Sequence, residues 1–206
     1  MFGPRLFANT TLVYNDYKFK FGAAQENFEV SLSSGIRDGS GKIDFDYYAS
    51  PRHRLKFGGI STYHKFTPNV FSGRQDSTVF NPPTEGNKYA IENALYVQDD
   101  WDVSDKLKVA AGLRWSQFNQ IGPYTHFVRD ENANKLDSTT FGSMDKVAGY
   151  NGLEPRVTLR YALDETSSLK GSVSRNLQFI HLVSNAGSTL PTDLWVPSTI
   201  RVKPQI

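Results

Sequence analysis

Lys106-Leu107-Lys108-Val109-Ala110-Ala111-Gly112-Leu113-Arg114-Trp115-Ser116 is the stretch that decides the fold. Leu107, Val109, Ala111, Leu113 and Trp115 take every second position, with Lys108, Ala110, Gly112, Arg114 and Ser116 between them. Successive side chains of a strand point to opposite faces, so this is a strand with one apolar and one polar face. The same period recurs outward in both directions. Upstream, Leu95, Val97 and Trp101 share a face of a strand over about 89–101, and Asp102-Val103-Ser104-Asp105-Lys106 turns the chain. Before that, Leu55, Phe57, Gly59, Ser61 and Tyr63 form one row. Ile43, Phe45 and Tyr47 oppose Lys42, Asp44 and Asp46, and Phe28, Val30, Leu32 and Ile36 oppose Glu29, Ser31, Ser33 and Arg37. The first strand sets Val13, Tyr17, Phe19 and Phe21 against Asp16, Lys18 and Lys20. Downstream, Val157, Leu159 and Tyr161 oppose Arg156, Thr158 and Arg160, and Leu169, Gly171 and Val173 oppose Lys170, Ser172 and Ser174. The pattern predicts about eight up-and-down strands.

The connections carry as much as the strands. Asp38-Gly39-Ser40-Gly41 reads as a turn by composition, because glycine reaches positive φ without a Cβ clash. Polar stretches over about 67–88, which contains Asn81-Pro82-Pro83, and about 119–152 read as long loops, as does the tail over 179–206. If the turns near 22–27, 49–53, 102–106 and 163–167 share one rim, the connections near 37–41, 67–88 and 119–152 fall on the other. Short turns on one rim and mostly long loops on the other is how outer-membrane barrels are built.

Composition narrows the class. The 206 residues carry 23 Lys+Arg against 21 Asp+Glu, for a net charge of +2 without a basic stripe, which argues against a nucleic-acid partner. The absence of cysteine removes disulfides, thiolate catalysis and cysteine-bound metals. Mean hydropathy is −0.46 and no apolar run reaches membrane-helix length, which leaves a β-barrel open, since its strands are apolar at alternate positions only. The start of the chain has no compact apolar core of a signal peptide. Charge assigns the faces: an Arg or Lys facing lipid at mid-membrane costs about 2–4 kcal/mol. If the chain is a barrel, the Leu107/Val109/Ala111/Leu113 and Val157/Leu159 rows must then face lipid. Trp101 and Trp115 belong to an aromatic girdle near the strand ends, and Lys108, Arg114, Arg156 and Arg160 face the interior.

Glu92-Asn93-Ala94-Leu95-Tyr96-Val97-Gln98-Asp99-Asp100-Trp101, the short turn, and the strand from Lys106 to Trp115 resemble the "YxQDxW" and "DKLxxxxGLRW" strand–turn–strand of TonB-dependent outer-membrane receptors. Leu153-Glu154-Pro155-Arg156 leading into Val157-Thr158-Leu159-Arg160-Tyr161 is similar to the next hairpin. Leu190-Pro191-Thr192-Asp193-Leu194-Trp195-Val196-Pro197 resembles a loop segment of the Bacteroidota-type receptors. The resemblance implies an all-β, antiparallel transmembrane β-barrel in the outer membrane of a Gram-negative bacterium. It further implies energised uptake of a siderophore, cobalamin, oligosaccharide or peptide, with outer-membrane lipid and TonB–ExbB–ExbD as partners. Residues 1–206 are expected to be one partial barrel domain, an interior piece of a larger barrel, because no plug-like segment, TonB box or terminal aromatic strand is apparent. Such a piece alone would leave two strand edges unpaired.

No constellation for catalysis or metal binding is apparent. Gly41-Lys42 lacks the spacing of a phosphate loop, with Ile36 five residues before Gly41 and Ile43 after the lysine. His53, His64, His126 and His181 have no ligand spacing. Asp99 and Asp100 are adjacent and face opposite sides of a strand, while Asp44 and Asp46 pair more simply across strands with neighbours such as Lys56. No GxSxG elbow occurs. No cofactor and no enzymatic activity are expected. Ligand contact should come from loops and rim, where Tyr124, His126, Phe127, Phe179, His181 and Trp195 are the candidates. Two other architectures also fit the alternation: a self-sufficient eight-stranded barrel acting as adhesin or anchor, which requires the first strand to pair with the last, and a soluble β-sandwich carbohydrate-binding module, which requires the apolar rows to face each other.

Overall fold

A computed structural model describes residues 3–80, 86–132, 134–183 and 194–206. In chain order the strands are β1 (Leu6–Gln25), β2 (Phe28–Ser50), β3 (His53–Gln75), β4 (Thr78–Phe80), β5 (Lys88–Asp102), β6 (Leu107–Ile121), β7 (Tyr124–Arg129), β8 (Lys135–Phe141), β9 (Lys146–Ala162), β10 (Ser168–Ser174), β11 (Ile180–Val183) and β12 (Leu194–Pro197). The main sheet is antiparallel throughout, in the order β1-β2-β3-β5-β6-β9-β10, with the short β4 added to β3. It curls into half a barrel. β7–β8 and β11–β12 are separate hairpins.

Register puts the apolar rows on one face. Across β5, β6 and β9, Trp101 sits beside Val109 and Leu159, Val97 beside Leu113 and Pro155, and Leu95 beside Trp115 and Leu153. Leu95, Val97, Trp101, Leu113, Leu153, Val157 and Leu159 are all exposed. A contiguous apolar surface of this kind marks a membrane or an interface. The band ends at an outward polar row, Asn93-Gln117-Asn151. Below that row it covers nine residues on β6 (107–115) and nine on β9 (153–161), the length a tilted strand needs to cross the hydrocarbon. Trp101 does lie next to a strand end. Trp115 instead closes the apolar band, and β6 continues beyond it to Ile121.

The structure corrects four expectations. Asp38-Gly39-Ser40-Gly41 is not a turn: it lies inside β2, paired on both sides, and neither glycine has a positive φ. Gly39 and Gly41 are flat positions on the outer face, beside Tyr14 and Tyr63 and beside Leu12 and Ser61. The reversals after β1 and β3 use Glu26 at φ +23° and Asp76 at φ +53°, without glycine. With one reversal fewer, the turn at 26–27 moves to the long-loop rim, and the turns after β2, β5 and β9 share the other.

β1 is inverted relative to its expected facing. Leu6, Ala8, Thr10, Leu12 and Tyr14 lie on the outer face beside Tyr47, Phe45, Ile43, Gly41 and Gly39, while Val13 and Tyr17 turn inward. Asp16 and Lys18 are on the outer face but beyond the band, with Asp16 paired to Arg37 at 3.1 Å. A one-residue change of register moves every side chain to the other face, and pairing with β2 sets the register here. The stretches read as loops are largely ordered: β3 runs to Gln75, and 119–152 holds the end of β6, the β7–β8 hairpin and the start of β9. Residues 81–85, with Asn81-Pro82-Pro83, and 184–193 of the tail lie outside the described residues.

The rival architectures fail on topology. β1 and β10 stand at opposite ends of the sheet order, so the first strand does not close on the last. The apolar rows are exposed rather than pressed together as a sandwich core.

The candidate functional site on the inner wall

The inner face of the half-barrel is lined by ion pairs. Lys56 on β3 meets Asp100 on β5 at 2.6 Å, and Arg54 meets Asp46 at 2.8 Å. Lys42 meets Asp44 at 2.8 Å, and Tyr96 donates its hydroxyl hydrogen to the same carboxylate. Gly58 makes that last contact possible, because a Cβ there would lie 2.6 Å from the Tyr96 hydroxyl oxygen. Asp44 and Asp46 therefore do pair across strands, although Lys56 chooses Asp100. Asp99 faces out, as adjacency to Asp100 requires, and accepts or shares a hydrogen with His53 Nδ1 at 2.7 Å beside Trp101.

Toward the long-loop rim the wall becomes drier. His64, almost fully buried, contacts Asp38 at 2.8 Å and lies 3.9 Å from Glu92. Arg114 lies 3.8 Å from Glu92 and 3.5 Å from Glu154. Glu154 is buried and also accepts from the Ser116 hydroxyl and from the Leu177 backbone N–H at 3.1 Å. These residues alternate along their strands, so each strand contributes its polar row to one continuous surface. Partly buried ion pairs of opposite sign neutralise a wall that would otherwise repel itself. Among the described residues no group of three His, Cys, Asp or Glu side chains is arranged to hold a metal ion.

Above the charged rows lies the small hydrophobic core. Phe66, Ala90 and Phe118 of the inner wall are covered by Phe179, which stacks on Phe118 with ring centroids 5.2 Å apart. Trp195 and Ile180 of the β11–β12 hairpin pack against the same cluster. Tyr150 donates to the Thr199 carbonyl oxygen at 2.6 Å, and His181 Nε2 lies 3.1 Å from the buried Ser198 hydroxyl. The tail is thus laid onto the inside of the wall. Gly152 leaves room for this approach: a Cβ would sit 2.6 Å from Leu177 Cδ1 and would push that side chain aside.

The six residues singled out from sequence divide into two groups. Phe179, His181 and Trp195 hold the tail to the wall. Tyr124, His126 and Phe127 line a cleft of about 300 Å³ between β7 and the segment following β12. Gln120, Lys88 and Arg201 line the same cleft and were not singled out. Gln120 continues the inward row Ser116-Phe118-Gln120 of β6, a signal already present in the alternation. Arg201 is brought in only by the folding of the tail, which no local pattern announces.

A single curled antiparallel sheet with a lipid-type band outside and paired charges inside is the wall of an outer-membrane barrel. Residues 3–192 match the family described as TonB dependent receptor-like, β-barrel, and the chain belongs to that family. The family is outer-membrane, and consists of transport receptors rather than a class of enzymes. No curated protein and no solved structure matches the chain.

Proposed function

We propose that this chain supplies wall and long-loop rim to an outer-membrane receptor for energised uptake of a scarce nutrient. The candidate nutrients are those of the family: a siderophore, cobalamin, an oligosaccharide or a peptide. The ligand is captured at the long-loop rim, with Tyr124, His126 and Phe127 as contacts. It then passes along the charged inner face when a plug domain is displaced by TonB–ExbB–ExbD. The observation that carries this reading is the exposed apolar row shared by β5, β6 and β9, nine residues long on β6 and β9 and so matched to a bilayer, on strands whose opposite face carries the charged side chains. Neutral pairing makes the inner wall polar enough to stay hydrated and weak enough in net charge not to trap a charged solute.

Fractionation of cells expressing the full-length protein tests the proposal. The expected result is recovery in the outer membrane, extractable only with detergent, and a folded band that shifts on heating. Recovery in the soluble fraction without detergent would overturn it.

A further inference from the structure

The cleft beside β7 contains a side chain that the sheet itself cannot satisfy. Gln120 is 1% exposed, and neither its amide nitrogen nor its amide oxygen has a hydrogen-bond partner among the described residues. Its cross-strand neighbours are Ala90 and Ala148, and its same-face neighbours along the chain are Phe118 and Gly122. None of the four carries a polar side-chain atom. A partner must therefore approach from off the sheet, and the cleft that Gln120 lines lies on that side. A buried amide without a partner is costly, so the site favours a ligand that can supply both a donor and an acceptor.

The other lining residues define the rest of that ligand. Lys88 and Arg201 contribute two positive charges, and no Asp or Glu lines the cleft. Tyr124 and His126, two positions apart on β7, set their rings 6.4 Å apart, and Ile200 adds an apolar wall. A volume of about 300 Å³ is at the small end for organic ligands.

We propose that this cleft binds a small organic anion of the N-acyl amino acid type. Its carboxylate faces Arg201, its amide meets Gln120, and its acyl or aryl group lies against Tyr124 and His126. The inference rests on the receptor reading above and deepens it by naming the ligand class of the long-loop rim.

The test is a ligand-observed NMR titration of the full-length protein in detergent micelles with N-benzoylglycine and with its uncharged counterpart, N-benzoylglycinamide. The acid is expected to bind about tenfold more tightly than the amide, the contribution of one charge-assisted contact. Arg201→Gln should bring the acid down to the affinity of the amide. Gln120→Met should weaken both compounds about tenfold while raising the midpoint of thermal unfolding, because it removes an unpaired buried amide at nearly constant volume. A purely structural Gln120 predicts the opposite change in that midpoint. Equal affinity for acid and amide, unchanged binding in either variant, or no binding of the acid overturns the proposal. If the protein inserts in the outer membrane and still fails these tests, the ligand class falls and the receptor reading stands; failure to insert defeats the receptor reading itself.

Discussion

Arg156 and Val157 are neighbours in sequence and belong to two different surfaces. Val157 sits in the middle of the outer band, between Ala111 and Val173, and is exposed. Arg156 is on the inner face beside Gly112. The outer surface is apolar at most positions, with the outward Asp99 held by His53, whereas the inner surface carries charged side chains on strand after strand. The same strand must satisfy both demands at alternate residues. This is why the chain is polar on average and still membrane-type in construction.

The contrast is broken most sharply by moving a charge across the strand. Val157→Arg is expected to cost about 2–4 kcal/mol, enough to abolish assembly of a marginal barrel, whereas Thr158→Arg on the inner face should be near neutral. Tyr161→Arg, at the short-turn end of the band, should cost only about 0–1 kcal/mol. Outer-membrane yield and the heat-shifted gel band measure all three. Equal loss for Val157→Arg and Thr158→Arg would mean that the two faces do not see different solvents.

The inner surface has its own gradient, from dry at Glu154 to wet at Lys56. Glu154→Ala removes the acceptor for Ser116 and the Leu177 N–H and the closer of the two carboxylates near Arg114. The expected loss is about 2 kcal/mol, as for a charged hydrogen-bonding group, together with faster proteolysis of the tail beyond Leu177. Lys56→Ala also breaks an ion pair, but both partners are about one-third exposed. Solvent screening holds its effect below about 1 kcal/mol. Denaturant unfolding in micelles would rank the two, and a larger loss at Lys56 would refute the gradient.

The same contrast explains what could be read in the sequence. β5, the turn at 102–106 and β6 are legible because lipid penalises misplaced charge, so the period of two runs from Leu95 to Trp115, interrupted only at Asp99, which faces out and is held by His53. β1 misleads in phase: Val13, Tyr17 and Phe19 are apolar and face inward, with Tyr17 beside Ile36, which packs against the core rather than lipid. Gly39 and Gly41 have the composition of a turn, and composition does not distinguish a glycine that bends the chain from one that lies flat in a paired strand. For the site, Tyr124, His126 and Phe127 could be named from their loop-like setting. Their meeting with Gln120 and Arg201 depends on the tail folding back onto the wall, a contact between segments some 80 residues apart.

The smallest effect belongs to the short-turn rim, outside both surfaces. Asp164 caps the β9–β10 turn: its carboxylate accepts from the Thr166 N–H at 2.8 Å, the Thr166 hydroxyl at 2.9 Å and the Ser167 N–H at 2.7 Å. The Thr166 backbone hydrogen bond, joined by the Thr166 hydroxyl and the Ser167 N–H, holds its carboxyl below the usual value of 3.8. A carboxylate whose folded pKa is depressed stabilises the fold fully above the unfolded value, and that stabilisation is lost as pH falls through the folded one. Asp164→Ala should therefore lower the stability of the turn slightly at pH 7 and make no difference once the pH is well below 3.8. Amide exchange of Thr166 and Ser167, compared between wild type and variant across that range, checks the sign. A difference that persisted in acid would show that the turn is held by something other than the ionised carboxylate.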